Sequence, residues 1–269
     1  MHYPAIWLSD IHLGDRDCKA EFLLDFLKST SCDTLYLVGD MIDLWAMKRS
    51  FFWPPSHHAV LRKIISLANS GTSVIYIPGN HDELVREIIG TSVLNIKIHN
   101  EYIHTTRAGK KLLLTHGDEF DHAVLCNRLT KIIGYAAYSL LIRINRWGNR
   151  IRKYLGLPYW SLAYYIKNRV KNSREAIATF EQAAAQEAIR RKVDGIVCGH
   201  IHQPEIRTIE GVLYCNDGDW IESCTALVEY PQGQLEILHW GDLQQGIKSD
   251  VAANDPRFSA PYPLPRLPH

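Results

Sequence analysis

The chain has 269 residues, 46% of them hydrophobic, which is enough for one sizeable core or for one core carrying an inserted subdomain. Its 30 basic and 29 acidic residues provide no overall attraction for nucleic acid and exclude a protein with an acidic tail. No apolar run approaches the roughly 18 residues of a transmembrane helix. The N-terminus lacks a secretory pattern and the 6 cysteines are scattered, so we expect a cytoplasmic protein with reduced thiols.

One segment departs from this balance of charge. From His122 to Arg174 the sequence contains 11 Lys or Arg residues but no Asp or Glu, so the remainder of the chain is net negative. The same segment contains eight Tyr and Trp residues. Such a local shift in composition indicates a segment with a function of its own.

The first half of the sequence alternates strand and helix patterns. Short β-rich runs occur at Ala5–Leu8, Thr34–Val38 and Ser73–Ile77, and helical spacing of apolar residues occurs at Lys19–Lys28 and His58–Asn69. Repetition of strand, helix and strand predicts parallel pairing. The polar residues that follow the strands would then collect at the carboxyl edge of one sheet, where open α/β sheets bind ligands.

The pattern changes after a further strand at Leu112–Thr115. Long helical runs follow, and strands return at Gly195–Cys198 and continue to Leu235–Leu238. We therefore expect one core and one insertion, followed by a proline-rich tail that is disordered. The predicted divisions are a core at 1–121 and 193–243, a basic helical cap at 122–192 and a tail at 244–269.

Five polar clusters follow predicted strands, and they are built from Asp, Asn, His and Gly. They are Asp10-x-His12, Gly39-Asp40-x-x-Asp43, Gly79-Asn80-His81-Asp82, His116-Gly117-Asp118 and Gly199-His200-x-His202. Each cluster alone is commonly a turn, a cap or a solvent-facing histidine. Five of them at five strand ends indicate a shared site.

The residue types in these clusters suit a pair of metal ions. Carboxylate, imidazole and amide oxygen favour divalent Mn, Fe or Zn, and no thiolate is placed to form a soft site. Two ions about 3.5–4 Å apart can polarise a phosphoryl group and activate water near neutral pH. One carboxylate must bridge such a pair, and Asp40, at the end of a central strand, is the best-placed candidate.

Other polar residues allow more than one interpretation. Asp43 and Asp118 fit equally well as carboxylates that orient metal-binding histidines and as turn or cap residues. His57 and His58 follow Pro54-Pro55 and are expected in a solvated loop. The sequence contains no Gly-rich nucleotide-binding loop and no G-x-S-x-G elbow, which excludes those enzyme classes.

As an ordered set, the five clusters resemble the calcineurin-like metallophosphoesterase family over about Ser9–Pro204. The resemblance implies an α/β fold with two packed mixed β-sheets flanked by helices, the metals at one end, and here an inserted helical cap. It also implies the ligands: Asp10, His12 and His202 for a first ion, Asn80, His116 and His200 for a second, and Asp40 between them. His81 would face the phosphoryl or leaving oxygen and be oriented by Asp82, and the two ions would most readily be Mn.

Within this family, three features resemble the UDP-2,3-diacylglucosamine diphosphatases of lipid A synthesis: the stretch Asp40–Trp45, the basic insertion and the stretch Asn172–Ala176. This resemblance implies hydrolysis of a nucleotide–lipid diphosphate to UMP and a lipid phosphate, with a helical cap that holds the acyl chains. The chain departs from that group at His81, where Arg is usual, and at Ile177–Ala184, which replaces the usual substrate contacts. A related lipid or sugar diphosphate is therefore a second possible substrate.

The expected activity is thus metal-dependent hydrolysis of a phosphodiester or diphosphate. Candidate substrate contacts in the cap are Lys167, Asn168, Lys171 and Arg174. One alternative is a phosphodiesterase or phosphatase for a soluble nucleotide or nucleic acid, whose bases would stack on the aromatic residues of the cap. Another is a non-catalytic scaffold stabilised by metal.

The basic segment also predicts where the protein acts. An amphipathic basic helix with aromatic residues is typical of elements that lie on a membrane surface. The alternative is a helix that packs its apolar stripe on the core, but an ordinary solvated face would mix charges of both signs. We therefore expect a peripheral protein on an anionic inner-membrane surface, with no nucleic-acid partner.

Overall fold

The structure is a computed structural model that describes residues 1–122 and 171–241, together with several positions between 140 and 155. Two mixed β-sheets pack face to face, and helices cover the outer face of each sheet. This is the fold class expected from the sequence. About half of the cap expected at 122–192 lies outside the described residues, as does the whole chain beyond 241, which includes the expected tail at 244–269.

Seven strands form the larger sheet. They are β1 (His2–Leu8), β2 (Ser31–Val38), β3 (Ser73–Ile77), β4 (Ser92–Val93), β5 (Ile96–Ile98), β11 (Thr225–Glu229) and β12 (Leu235–His239). Their spatial order is β12-β11-β1-β2-β3-β5-β4. Strands β1, β2 and β3 pair in parallel, whereas β11 is antiparallel to β1. The carboxyl ends of β1, β2 and β3 therefore share one edge of the sheet.

Five strands form the smaller sheet. They are β6 (Tyr102–Thr105), β7 (Lys111–Leu114), β8 (Gly195–Cys198), β9 (Glu205–Ile209) and β10 (Val212–Asn216). Their spatial order is β6-β7-β8-β10-β9, with β7, β8 and β10 parallel and the two outer strands antiparallel. The loops that follow β7 and β8 therefore also leave from a single edge.

Helices cover the outer faces of both sheets. The helices that lie within 1–122 and 171–241 are α1 (Ala20–Ser29), α2 (Leu44–Arg49), α3 (Pro55–Asn69) and α4 (Lys171–Arg191), with 3-10 helices at Glu83–Ile88 and Asp118–His122. Most of the described positions between 140 and 155 are also helical. Helices α1 and α3 pack on the larger sheet, and the buried face of α4 packs on the smaller one. Although α4 lies in the segment expected to form the cap, Phe180, Ala184 and Ala188 belong to the core under the smaller sheet.

The first strand shows how the core is divided. Ala5 and Trp7 of β1 point into the space between the two sheets, whereas Ile6 and Leu8 point toward α1 and α3. Successive side chains of a strand face opposite sides, so a strand buried on both faces is apolar throughout rather than alternating. This explains why all four residues of Ala5–Leu8 are apolar.

Most of the elements predicted from the sequence are confirmed, including the parallel pairing of the first three strands. The interpretation of His57 was wrong, because this residue lies in the first turn of α3 and is only 2% exposed. Its Nδ1 accepts a hydrogen bond of 2.9 Å from the backbone N–H of Gly14. Burial lowers the pKa of His57, which is consistent with a neutral ring that acts as the acceptor.

Candidate metal centre

The strand-end loops that carry the expected ligands have an unusual backbone. Ten described non-glycine residues have a positive φ, and five of them are expected ligands, with φ between 49° and 67°. These five are Asp10, His12, Asp40, His200 and His202. Residues with a side chain rarely adopt this conformation, and where they are held in it they cluster at functional sites.

Asp10, His12 and His202 form one compact group of possible ligands. One ligand atom from each lies within 4.8 Å of the others. Oδ1 of Asp10 is 3.1 Å from Nε2 of His202 and 3.7 Å from Nε2 of His12. The structure therefore brings together the three residues expected to hold the first ion.

Asp40 lies between this group and a second one. Its Oδ2 is 3.7 Å from Nε2 of His12 and 3.5 Å from Nε2 of His116. Asp10, Asp40 and His116 form a second compact group of possible ligands, which shares Asp10 with the first. This position suits a carboxylate that contacts two ions.

Several polar atoms of the cluster are buried without a hydrogen-bond partner among the described residues. They include Oδ1 of Asp10, Nε2 of His12, Oδ1 of Asn80 and Nε2 of His116. Nearly all buried polar atoms in proteins are paired, so such a concentration points to a missing ligand. Each of these atoms is of a type that binds divalent ions, and the residues therefore fit the metals that the site's chemistry implies.

The two buried histidines are held by their other ring nitrogen. Nδ1 of His12 is 3.0 Å from Oδ2 of Asp43, and Nδ1 of His116 is 3.0 Å from the carbonyl oxygen of Val38. A ring that donates from Nδ1 keeps the lone pair of Nε2 free, which is the usual arrangement of a metal-binding histidine.

Buried carboxylates make the pocket strongly attractive to cations. Burial alone would raise the pKa of Asp10, but the rings of His202 and His12 outweigh burial and hold that pKa well below its ordinary value. Burial also opposes a charge on His116, but the carboxylate of Asp40 raises the pKa of His116 to about 10. The pKa of His12 is likewise raised well above its ordinary value by Asp10, Asp43 and Asp40. In the metal-free protein the rings of His12 and His116 therefore favour the protonated form, and a bound cation would displace protons from them.

His200 occupies a different position from the other expected ligands. Its backbone N–H donates to Oδ2 of Asp10 at 2.9 Å, and its ring centroid is 5.2 Å from that of His116. Nε2 of His200 is 3.0 Å from Oδ1 of Asp121, and the ring stacks on Phe180 of α4. The structure thus places His200 beside the second group, with Nε2 engaged by a carboxylate.

Asp43 contacts His81, and Asp82 does not orient it. Nδ1 of His81 is 3.0 Å from Oδ1 of Asp43, whose other oxygen holds His12. The carboxylate of Asp82 instead accepts hydrogen bonds from the backbone N–H groups of Met41 and Gly79, at 2.7 and 2.6 Å. It also accepts a hydrogen bond from the hydroxyl group of Tyr76. The expectation that Asp82 orients His81 is therefore corrected: Asp82 ties two strand-end loops together.

Asp118 also has a partner outside the metal cluster. Both of its oxygens accept from Nη2 of Arg86, at 2.8 and 2.9 Å. Arg86 lies in the 3-10 helix that follows Asp82. The pair therefore connects the loop after β3 with the loop after β7, rather than orienting a histidine.

Glycines in the clusters allow the side chains to approach. Gly39 has a φ of +84°, and a Cβ at this position would overlap the ring of His116. A Cβ on Gly199 would overlap Oδ2 of Asp10. Gly39 and Gly199 are thus required by the close contact of neighbouring loops.

The expected substrate contacts in the cap are described only in part. Arg174 is exposed on the first half of α4, and Lys171 lies at the start of that helix, where its side chain is not described. Lys167 and Asn168 lie outside the described residues. Their proposed contacts with substrate stay predictions.

The sequence analysis missed a sixth strand-end cluster, which follows β10. Oγ of Ser9 is 2.5 Å from Oδ2 of Asp10 and 2.6 Å from Oδ1 of Asp217. Burial raises the pKa of Asp217 well above its ordinary value, and the hydroxyl of Ser9 connects this carboxyl to the expected ligand Asp10. The signal was present in Asn216-Asp217-Gly218-Asp219, which follows a strand as the other clusters do.

Comparison with known proteins identifies the family of the chain. The sequence profile of the calcineurin-like phosphoesterases matches residues 3–204. The chain belongs to the calcineurin-like phosphoesterase family and is a hydrolase that acts on phosphoric ester bonds.

Individual relatives carry a more specific name. The UDP-2,3-diacylglucosamine hydrolase of Aeromonas salmonicida is 29% identical over 253 residues, covering 86% of this chain and 91% of the relative. That of Xanthomonas campestris is 26% identical and covers 83% and 94%. Among solved structures, a phosphoesterase from E. coli has a TM-score of 0.42 at 15% identity, covering 87% of this chain and 98% of that one.

Proposed function

We propose that the protein hydrolyses a phosphodiester or diphosphate with two divalent metal ions, and that its substrate is UDP-2,3-diacylglucosamine or a closely related nucleotide–lipid diphosphate. The observation that carries the proposal is the convergence of unpartnered ligand atoms around Asp40. Donors of this kind, arranged in two groups that share a carboxylate, suit two ions better than one.

Each residue of the cluster has a role in this proposal. Asp10, His12 and His202 would hold the first ion, Asn80, His116 and His200 the second, and Asp40 both. When bound, such a pair supplies charge neutralisation for the phosphoryl oxygens and activates water near neutral pH, and Mn is the ion that we expect. The chain itself contributes the buried carboxylates that attract the ions and the contacts that fix each ligand's orientation.

His81 supplies the proton or the charge that the leaving oxygen needs. Its Nε2 is 3.9 Å from Oδ2 of Asp40, and its side chain is 22% exposed, so the ring is at the edge of the cluster and accessible to a substrate. Oδ1 of Asp43 lies 3.0 Å from Nδ1, so Nε2 is the ring nitrogen that is left to face the substrate oxygen. A histidine in this position can act as a general acid or stabilise developing charge.

Two features support an amphiphilic diphosphate as the substrate. The relatives named above are UDP-2,3-diacylglucosamine hydrolases, and the match extends over most of both chains. The segment from His122 to Arg174 is rich in basic and aromatic residues without a single acid, which suits a substrate with both phosphate and apolar groups.

We further propose that the same segment binds an anionic membrane surface. None of the helices in the described part of the chain has the length and hydrophobicity that spanning a bilayer requires. Several large apolar side chains at described helical positions of the segment are exposed and are three or four residues apart in the sequence. They are Leu140, Ile144, Trp147, Ile151 and Tyr154. The sequence places basic residues between them, as in helices that lie at a membrane interface.

A comparison of substrates tests the proposal. Turnover with Mn²⁺ would be measured on detergent-dispersed UDP-2,3-diacylglucosamine and on UDP-N-acetylglucosamine, which has the same diphosphate but only an acetyl group in place of the fatty acyl chains. A soluble phosphodiester, bis(p-nitrophenyl) phosphate, reports the hydrolytic chemistry alone. We expect release of UMP from the acylated substrate with the highest kcat/KM. Preference for the unacylated nucleotide would overturn the lipid substrate, and failure to hydrolyse any of the three would overturn the hydrolytic function.

A further inference from the structure

The imidazole of His81 is enclosed on two sides by other rings. The indole of Trp45 lies over it, with ring centroids 4.3 Å apart and an interplanar angle of 33°. On another side the ring of His12 meets it edge-on, with centroids 4.7 Å apart and an angle of 87°. Contact with Asp43 then restrains the ring at Nδ1.

Helix α2 delivers two of these contacts. Asp43 is the N-cap of α2 and accepts from the backbone N–H of Ala46 at 2.6 Å, while Trp45 lies in the first turn. The backbone of His81 is tied to the same region, because the N–H of Leu44 donates to its carbonyl oxygen at 3.2 Å. The position of α2 therefore determines both how close the carboxylate of Asp43 lies to the His81 ring and how the indole of Trp45 covers that ring.

Trp45 is exposed far more than a core tryptophan. It is 44% exposed, whereas Trp7 and Trp220 are fully buried. A large aromatic side chain that leaves almost half of its surface in water gains less from burial than the core tryptophans do. Its close, tilted ring contact with His81 supplies a specific reason for an aromatic side chain at this position.

We propose that Trp45 is a positioning residue for His81 in the proposed phosphoester hydrolysis. Asp43 restrains Nδ1, but a contact at one atom still allows the imidazole to rock about that point. The indole removes this freedom by restricting the ring plane, and it keeps Nε2 directed toward the side of Asp40. This inference rests on the function proposed above for His81.

The first test is a double-mutant cycle. Trp45→Leu removes the stacked ring but keeps an apolar side chain, and Trp45→Phe restores a ring. Hydrolysis of a phenyl phosphodiester with Mn²⁺ would be measured for each, alone and combined with His81→Ala. We expect Trp45→Leu to lower kcat by roughly two- to tenfold with little change in KM, the size of a typical aromatic pair contribution. Trp45→Phe should recover most of the loss.

The cycle distinguishes positioning from direct contact with substrate. If Trp45 acts through His81, Trp45→Leu should cause no further loss in the His81→Ala background. An equal loss in both backgrounds, or a rise in KM with kcat unchanged, would overturn the proposal in favour of a substrate contact. Phe51→Leu is the matched control, since Phe51 is an exposed aromatic residue just beyond α2. It should leave kcat unchanged.

A second measurement needs no turnover. The carbon-bound ring protons of His81, identified by their loss in the His81→Ala variant, should be shifted upfield by the indole in the metal-free protein. Trp45→Leu should move these signals downfield, and Phe51→Leu should not. Unmoved signals would overturn the stacking and with it the proposal. A wild-type protein that fails to hydrolyse any phosphoester would instead refute the function proposed above, and the NMR result would still decide whether the stack exists.

Discussion

Nδ1 of His12 lies 3.0 Å from Oδ2 of Asp43, and both side chains are buried. Because the carboxylate accepts the Nδ1 proton, Nε2 of His12 is left as a free ligand atom that faces Asp10 and Asp40. The other oxygen of Asp43 contacts His81 and also caps α2. A single carboxylate thus couples an expected metal ligand, the expected proton donor and a helix start.

Replacing Asp43 should therefore weaken metal binding as well as catalysis. Asp43→Ala removes the partner of His12, and loss of such an outer partner typically costs roughly 10–100-fold in metal affinity or activity. Calorimetric titration of metal-free protein with Mn²⁺ measures the affinity. Asp43→Asn is the control, because asparagine caps helices well but offers only one oxygen for the two histidines. If Asp43→Asn bound Mn²⁺ as tightly as the wild type, only the capping role would stand.

His81→Ala should slow turnover without removing metal. Loss of a general acid typically costs roughly 10²–10⁴-fold in rate. The loss should be greater for a phenyl ester than for a p-nitrophenyl ester, because p-nitrophenolate leaves readily without protonation. Equal losses would indicate charge stabilisation instead of proton transfer. Metal content measured on the same samples must stay at the wild-type level, and a lost ion would reassign His81 to coordination.

His57 predicts a pH dependence of stability in the metal-free protein. Its pKa is lowered in the folded state by burial, whereas the unfolded state titrates near 6.5. The unfolded chain therefore binds more protons below about pH 6.5, and the free energy of unfolding should fall as the pH decreases through this range. In urea unfolding between pH 7 and 5, His57→Gln should show a smaller decrease than the wild type. His58→Gln, at the exposed neighbouring position, should behave as the wild type. Identical slopes for His57→Gln and the wild type would contradict the buried neutral ring.

Vesicle binding tests the proposed membrane contact. The protein should cosediment with anionic but not with zwitterionic vesicles, and salt should weaken the binding, since each basic residue near such a surface contributes about 1 kcal/mol. Charge reversal to Glu at four basic positions of the segment should abolish most of it. These positions are Arg143, Arg146, Arg150 and Arg152.

The control changes the net charge equally at exposed lysines of the core. These are Lys28, Lys48, Lys97 and Lys110, again replaced by Glu. If this variant lost as much binding as the first, the attraction would depend on total charge rather than on the segment. Equal binding to both lipid types, or binding to neither, would contradict the proposed contact with an anionic membrane and favour a soluble substrate.

Sequence patterns predict much of this site because its ligands follow strands. Parallel strands bring their carboxyl ends to one edge, so a polar cluster after each strand is enough to place Asp10 and Asp40 together. His116 follows β7 of the smaller sheet, so only the resemblance of the ordered clusters to the family placed it with them. The residues that orient the ligands are harder to predict. Asp82 was chosen as the partner of His81 because it is adjacent in sequence, yet Asp43 reaches the ring from another loop.

Short elements were missed for a related reason. Helix α2 has only 6 residues, too few to show a helical period, and so the stacking of Trp45 on His81 had no signal in the sequence. His57 was assigned to a loop because it follows two prolines. However, the second of these, Pro55, occupies the first turn of α3, where its missing N–H costs nothing.

The number of Mn²⁺ ions bound per chain, measured together with turnover as metal-free protein is titrated, tests the two-ion phosphoesterase most directly. We predict no hydrolysis without metal and full activity only when two ions are bound. Asp40→Ala should leave the fold intact, reduce metal binding and lower activity by orders of magnitude, because it removes the ligand between two mutually repelling cations. Saturation at one ion with full activity, or near-wild-type turnover by Asp40→Ala, would contradict the account.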